Sequence, residues 1–396
     1  MTLFRSISLL VSAIAVCLPV VAQDGDNPPV IKLDRIPSLP AFAGQTRAPA
    51  ASRSTYRVES VAQGLSVPWA LAFLPDGSML INEYTGTMRI VEKSGKMSAP
   101  LSGLPDISHE DWAGLFDLVI DPAFNVNQTI YFSYTVATGN AESPNSPRVA
   151  RARLNRDGHR LENVEVILEG NGQQELHFAP DGKLLVAGAG PMTATQDMTS
   201  HAGKILRINS DGTIPDDNPW SDDPSVSSAI YTLGHRDVSG MATNPKTGDV
   251  WMTEHGARGG DELNIVKAGA NYGWQVISYG TNYDGKPIGD GNTAEDGMEQ
   301  PRYFWRPSIA PSGLMFYTGD MFPEWKGNVF VTSLSGQHIT RLVLDGDHVI
   351  GEERMLVDRN QRIRELRQGP DGALYALTNE ESDAPKGFAE LLRISR

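Results

Sequence analysis

The chain has 396 residues and a formal net charge of −14, with 48 Asp and Glu against 34 Lys and Arg. An excess of carboxylates repels a phosphate backbone, which excludes nucleic-acid binding as a function class. The single cysteine, Cys17, lies among the first 22 residues, so no disulfide, thiolate nucleophile or cysteine-ligated metal is expected in the body of the protein.

At the start of the chain, Arg5 precedes an apolar run from Ile7 to Val21 that ends in Val20-Val21-Ala22. Residues 1–22 read as a secretory signal peptide, so a periplasmic or secreted product is expected. A spanning helix needs about 20 apolar residues and would not carry Pro19 near its end, so no membrane insertion of the mature protein is expected. Residues 23–54 are rich in Pro, Ala and Ser without an apolar period, and read as a flexible linker. Residues 55–396 are taken as one domain.

That domain repeats one unit six times: a strand, a turn built on Pro, Asp or Gly, and a second strand of β-branched and aromatic residues. The copies lie at 73–83, 121–134, 178–188, 243–256, 322–334 and 369–380. Glycine relieves the positive-φ positions that tight reversals require, so each copy folds back as a hairpin. A single hairpin cannot bury its apolar face, and six related units satisfy that need by packing around an axis. The expected fold is all-β, a six-bladed β-propeller of four-stranded antiparallel blades; a sandwich or barrel is the alternative, but neither calls for a turn motif that recurs throughout the chain.

In such a ring, loops from distant parts of the sequence meet at the axial mouth. The segment from Glu254 to Asn264 (EHGARGGDELN) combines three glycines with the hard oxygen donors Glu254, Asp261 and Glu262, chemistry suited to Ca²⁺ and equally to a solvated turn. Arg362 and Arg364 are two apart in a segment read as extended, so their guanidinium groups share a face. Arg236 adds a third cation from an earlier unit, and together they suit a polycarboxylate. The competing reading pairs Arg362 and Arg364 with Glu365 or Asp358.

The runs VPWALAFLPDG (67–77), GKILRINSDGTIPDDNP (203–219), GHRDVSGMATNP (234–245), EHGARGGDELN (254–264), NYGW (271–274), APSGLMFY (310–317) and RIRELRQGPDGALY (362–375) resemble the pyrroloquinoline-quinone-dependent sugar dehydrogenases, from residue 57 to 394 and in the same order. The resemblance implies a propeller that binds pyrroloquinoline quinone, a tricarboxylate, at its mouth, with Ca²⁺ bridging cofactor and protein. By matched position, Arg236, Arg362 and Arg364 would hold the cofactor, with Asp237 and Trp305 beside it, and the carbonyls of Gly256 and Ala257 would ligate Ca²⁺. The implied partners are a sugar or alcohol substrate and a periplasmic electron acceptor.

One position departs from the family pattern. Where relatives place a catalytic His ahead of the third repeat, this chain has Asn171 or, one register over, Gly172, and neither accepts a proton. A positioned base is worth roughly 10²- to 10⁴-fold in rate. His109, flanked by Glu110 and Asp111 in a loop before the second repeat, is the candidate substitute; His255 is a second, and His177 reads as a packed histidine in a deeper layer. Trp112 and Ser335 also stand where relatives carry cofactor contacts. Two function classes stay open: a quinone-dependent oxidoreductase with a weakened or relocated base, and a propeller that binds carbohydrate or Ca²⁺ without turnover. A hydrolase finds no Gly-x-Ser-x-Gly turn.

Overall fold

The computed structural model describes residues 40–109, 113–140, 144–170, 174–188, 190, 192–379 and 387–396. The first blade holds β2 (Pro68–Phe73), β3 (Met79–Glu83) and β4 (Thr87–Val91), preceded in the chain by β1 (Arg57–Leu65). The second holds β5 (Leu115–Ile120), β6 (Thr129–Ala137), β7 (Asn145–Asn155) and β8 (Arg160–Glu169); the third holds β9 (Glu175–Phe178), β10 (Leu184–Ala187), β11 (Lys204–Ile208) and β12 (Ile230–Leu233). The fourth comprises β13 (Val238–Thr243), β14 (Val250–Glu254), β15 (Asp261–Ile265) and β16 (Tyr303–Trp305), and the fifth β17 (Pro311–Phe316), β18 (Val329–Ser333), β19 (Ile339–Asp345) and β20 (His348–Met355). The sixth joins β21 (Arg362–Gln368), β22 (Leu374–Asn379) and β23 (Ala389–Ser395) to β1, so the N-terminal strand completes the C-terminal blade.

All pairings within blades are antiparallel, and the inner strands β2, β5, β9, β13, β17 and β21 neighbour one another in a closed ring. The chain is therefore a six-bladed propeller. Its first sheet has three strands, with residues 97–101 bonded along the free edge of β4 through Ser98 N–H to Ile90 O and Leu101 N–H to Met88 O. Apolar side chains fill the spaces between blades, as where Leu118 and Phe132 of the second meet Leu80 and Met88 of the first.

Five of the six inner strands carry one extra residue at the same level, and the bulge falls at Trp69, at Phe116-Asp117, at Ser239, at Ser312 and at Arg364. A bulge breaks the ladder locally and re-aims a side chain. Polar side chains repair the broken ladder and tie one blade to the next. Asn82 accepts from Ala70 N–H (2.7 Å) and donates to the Phe116 carbonyl of the second blade. Ser133 accepts from Asp117 N–H (3.0 Å) and donates to Gln174 O of the third blade (2.6 Å). Ser312 and Thr332 of the fifth blade donate to the carbonyls of Ile363 (2.7 Å) and Arg364 (3.3 Å) in the sixth.

The described part of the expected linker, residues 40–54, departs from the sequence reading: it is a strap bound to the outer edges of the fourth and fifth blades. Gln45 is fully buried, donating to Pro301 O (2.9 Å) and accepting from Ala41 N–H (2.7 Å). Further along, Ala51 N–H bonds Glu352 O, and Trp325 Nε1–H donates to Ser54 Oγ (2.7 Å). Edge strands left with unpaired backbone groups recruit this segment, which no apolar period in its own sequence announces.

Replacing Asn82 with Ala strands the Ala70 N–H and the Phe116 carbonyl in a buried site. The expected loss is about 2–5 kcal/mol of unfolding free energy, read from denaturant unfolding.

Candidate functional site

The bulge that exposes Arg364 to the axis explains why an Arg-Ile-Arg run serves here. Ile363 is fully buried in the blade, while Arg362 and Arg364 on either side are half-buried. The Arg364 guanidinium lies 3.9 Å from the ring centroid of Trp69, the bulged residue of the first blade, and Trp69 stacks on Tyr84 at 5.3 Å. Burial, and then the charge of Arg362, lower the Arg364 pKa to about 10. Two neighbouring cations favour a nearby anion, and the carboxylates of Glu175, Glu365 and Asp237 already act on Arg364.

Arg236 reaches the same region from the turn between the third and fourth blades. Gly234 has φ +79°, and a Cβ there would stand 2.2 Å from Asn271 Oδ1 and 2.6 Å from Gly273 N; only glycine lets the chain pass. Next to it His235 is fully buried, stacked on Tyr272 at 4.5 Å and bonded to Thr232 Oγ1 (2.8 Å). Glu254 accepts the backbone N–H of Arg236 (2.9 Å), and the Arg236 guanidinium lies 5.5 Å from Trp274 while donating weakly to His255 O (3.4 Å). Asp237 is close enough for its charge to act on Arg364, which brings the start of the fourth blade to the sixth. The Nε atoms of Arg236, Arg362 and Arg364 are all buried without a hydrogen-bond partner among the described residues. Glu365, the neighbour that sequence reading offers as their counter-ion, is instead bonded to Arg367 at 2.7 Å.

The acidic residues expected around a metal have other work. Asp261 is fully buried and accepts from Gly256 N–H (2.8 Å), Ile309 N–H (2.7 Å), Ala310 N–H (2.9 Å) and Ser308 Oγ (2.7 Å), so it clamps the loop before the fifth blade. Glu254 orients Arg236. Glu262 accepts from Asn264 Nδ2 (3.0 Å), and burial followed by the charge of Glu254 raises its pKa well above the carboxylate range. Among the described residues no three His, Cys, Asp or Glu side chains gather as a metal-binding group. The oxygens of Glu254, Asp261 and Glu262 accept from backbone, hydroxyl and amide donors. Around Gly256 the backbone itself crowds inward, since a Cβ there would stand 2.2 Å from Gly259 O and 2.6 Å from Gly260 O.

Trp305 is buried. It belongs to β16, the outermost strand of its blade, and is 3% exposed among Trp251, Tyr303 and Leu314 in the core between blades. Three strand spacings of about 4.8 Å separate that strand from the axial one.

Of the histidines, His109 is exposed at the rim, where a Cβ on Gly86 would lie 3.0 Å from its Cε1; this is the turn that carries Tyr84. His255 donates from Nε2 to Pro311 O (2.6 Å), with Nδ1 3.6 Å from Asp237. His177 bonds Thr243 Oγ1 (2.8 Å), and burial together with Arg367 lowers its pKa to about 4, as befits a packed residue. Asn171, Gly172 and Trp112 lie outside the described residues, and Ser335 is exposed with its hydroxyl 3.5 Å from Ser308 O. Sequence reading missed Trp69, Tyr84, Trp274 and His235, whose roles depend on neighbours from other blades. It also missed a group of acids below the arginines, signalled only by Asp117 inside the apolar run LFDLVI.

The buried Nε atoms of Arg236, Arg362 and Arg364, without hydrogen-bond partners among the described residues, are donors that an anion would satisfy. The chain belongs to the glucose/sorbosone dehydrogenase family, whose model matches residues 65–392. It is 36% identical to aldose sugar dehydrogenase YliI of Escherichia coli over 87% of this chain and 94% of that protein. It is 26% identical to quinoprotein glucose dehydrogenase B of Acinetobacter calcoaceticus over 88% and 91% of the two chains. The PQQ-bound aldose sugar dehydrogenase of Streptomyces coelicolor superimposes with a TM-score of 0.70 at 26% identity, covering 87% of this chain and 99% of that one. The protein is accordingly an oxidoreductase of the sugar dehydrogenase type.

Replacing Asp261 with Ala removes the acceptor shared by four donors, of which Ala310 N–H keeps Ser308 Oγ at 3.3 Å. A loss of about 3–5 kcal/mol is expected, as thermal or urea unfolding would show.

Proposed function

We propose that this protein is a periplasmic quinoprotein that oxidises an aldose sugar or related alcohol, with pyrroloquinoline quinone held at the axial mouth by Arg236, Arg362 and Arg364. The observation that carries the reading is the set of three buried Nε atoms without partners. A tricarboxylate supplies acceptors for such donors, and charge-assisted pairs of this kind are short and strong. When bound, the quinone supplies a two-electron hydride acceptor.

The chain's own residues then have separable tasks. Arg362 and Arg364 neutralise carboxylates, Trp69 and Trp274 keep water from the guanidinium groups, and Glu254 fixes the backbone that presents Arg236. Ca²⁺ would be held by the carbonyl oxygens of Gly256 and Ala257, in the loop where backbone oxygens crowd together. The hydroxyl proton of the substrate needs an acceptor; with Asn171 at the family's His position, His109 at the rim is the residue proposed to take it. The signal-like first 22 residues support export to the periplasm.

A binding propeller without turnover is favoured by one observation, Asn171 in place of His. The two readings separate on reconstitution. Pyrroloquinoline quinone with Ca²⁺ is expected to raise the melting temperature, since ligand at about 100 times Kd adds about 2.7 kcal/mol, and Arg364→Ala should abolish the shift. Dye reduction with a panel of aldoses then reports turnover. Quinone binding with no dye reduction on any sugar or alcohol would leave the binding role. His109→Ala is expected to lower kcat by about 10²-fold or more; unchanged turnover would remove His109 as the base.

A further inference from the structure

Lys204 opens β11 and is 1% exposed, an unusual place for a lysine. Its ammonium is turned onto backbone: Nζ donates to the carbonyls of Ala194 (3.0 Å), Thr195 (2.9 Å) and Ala202 (2.9 Å). Three donors meet three acceptors, so each proton has a partner. Burial lowers the Lys204 pKa to about 8, which leaves the ammonium as the main form at neutral pH. Two titratable groups lie beside it. Asp197 is exposed and accepts from Thr199 N–H (2.9 Å) and Oγ1 (2.8 Å), and His201 is bonded to Ser227 Oγ (2.8 Å).

The loop whose carbonyls Lys204 gathers also carries the bonds that reach Arg236. Thr195 O accepts a second proton from Gly234 N–H (3.1 Å), and Thr195 Oγ1 donates to Trp274 O (2.6 Å). Gln196 Nε2 donates to the same Trp274 O (2.8 Å) and to Asn271 Oδ1 (3.0 Å), while Asn271 Nδ2 returns a bond to Gln196 Oε1 (2.7 Å). His235 N–H donates to Gly203 O (3.1 Å), and Trp274 N–H to Gly234 O (2.9 Å). Residues 194–204, 233–236 and 271–274 therefore interlock behind the Arg236–Trp274 contact. There is no slack between them, since a Cβ on Gly203 would stand 2.4 Å from His235 O and 2.5 Å from Thr195 Cγ2.

We infer that Lys204 is a positioning residue for the anion site: its ammonium gathers the 194–202 loop so that Thr195 and Gln196 hold Trp274 and the Gly234 turn where Arg236 can meet its ligand. This rests on the reading of Arg236 as a cofactor residue. Three carbonyl dipoles that converge on one point repel one another unless a positive charge sits between them, and hydrogen bonds from an ionised donor are about twice as strong as neutral ones. Without that charge the carbonyls separate or draw in water. Thr195 moves first, because its carbonyl is shared between Lys204 and Gly234 N–H and its hydroxyl is committed to Trp274 O. Lys204 thus acts on Arg236 through backbone and through Trp274, as an internal cation in the place of a structural metal ion.

Lys204→Met keeps the reach of the side chain and removes its donors. Hydrogen exchange read by mass spectrometry on the full-length, ligand-free variant is expected to quicken at residues 192–203, 234–236 and 271–274, with the fifth blade as protected as in the wild type. In titration with pyrroloquinoline quinone at constant Ca²⁺, affinity is expected to fall about 10- to 100-fold, the weight of one hydrogen bond to a charged group. Added to Arg236→Ala, Lys204→Met should cost less than about twofold more, because residues that act through one another do not lose affinity additively. Should Lys204→Met fail to fold, Thr195→Val carries the test: it leaves the ammonium in place, cuts the link to Trp274 O and is expected to weaken binding about tenfold. Unchanged exchange at 234–236 and 271–274, additive losses in the double variant, or full affinity in Lys204→Met or Thr195→Val overturns this inference alone. A wild type that does not bind the quinone overturns the reading of the arginine site, and this inference with it.

Discussion

The inner strands of this propeller each have to turn a side chain toward the axis without leaving backbone groups unbonded inside the protein. Five of them do so with a bulge at one level; Asn82, Ser312 and Thr332 bridge to the bulged region of the next blade, and Ser133 bridges to Gln174 O ahead of the regular β9. Because a buried unpaired backbone group costs as much as a lost hydrogen bond, each latch stabilises its own blade and sets the position of the next. The site inherits its geometry from that constraint. Arg364 and Trp69 are both bulge residues of adjacent blades, and their cation–π contact follows from the shared level of the two bulges.

Charges near the axis depend on one another. Arg362 acts on Arg364, and Glu365 is bonded to Arg367. Burial lowers the pKa of Arg364 and raises those of Asp117, Glu175 and Glu365. The acidic residues of the Glu254–Asn264 loop have a different task. They hold backbone: Asp261 fixes the approach to the fifth blade, and Glu254 fixes Arg236.

Much of this was legible in the chain itself. Six Pro- and Gly-marked hairpins announce six units, because a tight reversal restricts residue type locally and a lone hairpin cannot bury its face. Arg362 and Arg364 are readable as a pair because strand geometry puts residues two apart on one face. Partners from other blades are not readable in this way. Nothing near Arg364 in sequence indicates Trp69, nothing near Asp261 indicates Ile309, and the strap at residues 40–54 looks like a spacer until the unpaired edges of β16 and β20 are in place.

Sequence alone thus determined the repeat, the all-β class and the residue types that line the axis, since turn chemistry and strand periodicity act over a few residues. The tertiary structure decided which acids serve as clamps, and it set Trp69 of the first blade against Arg364 of the sixth. Those outcomes depend on distance and desolvation, which exist only once the ring has closed.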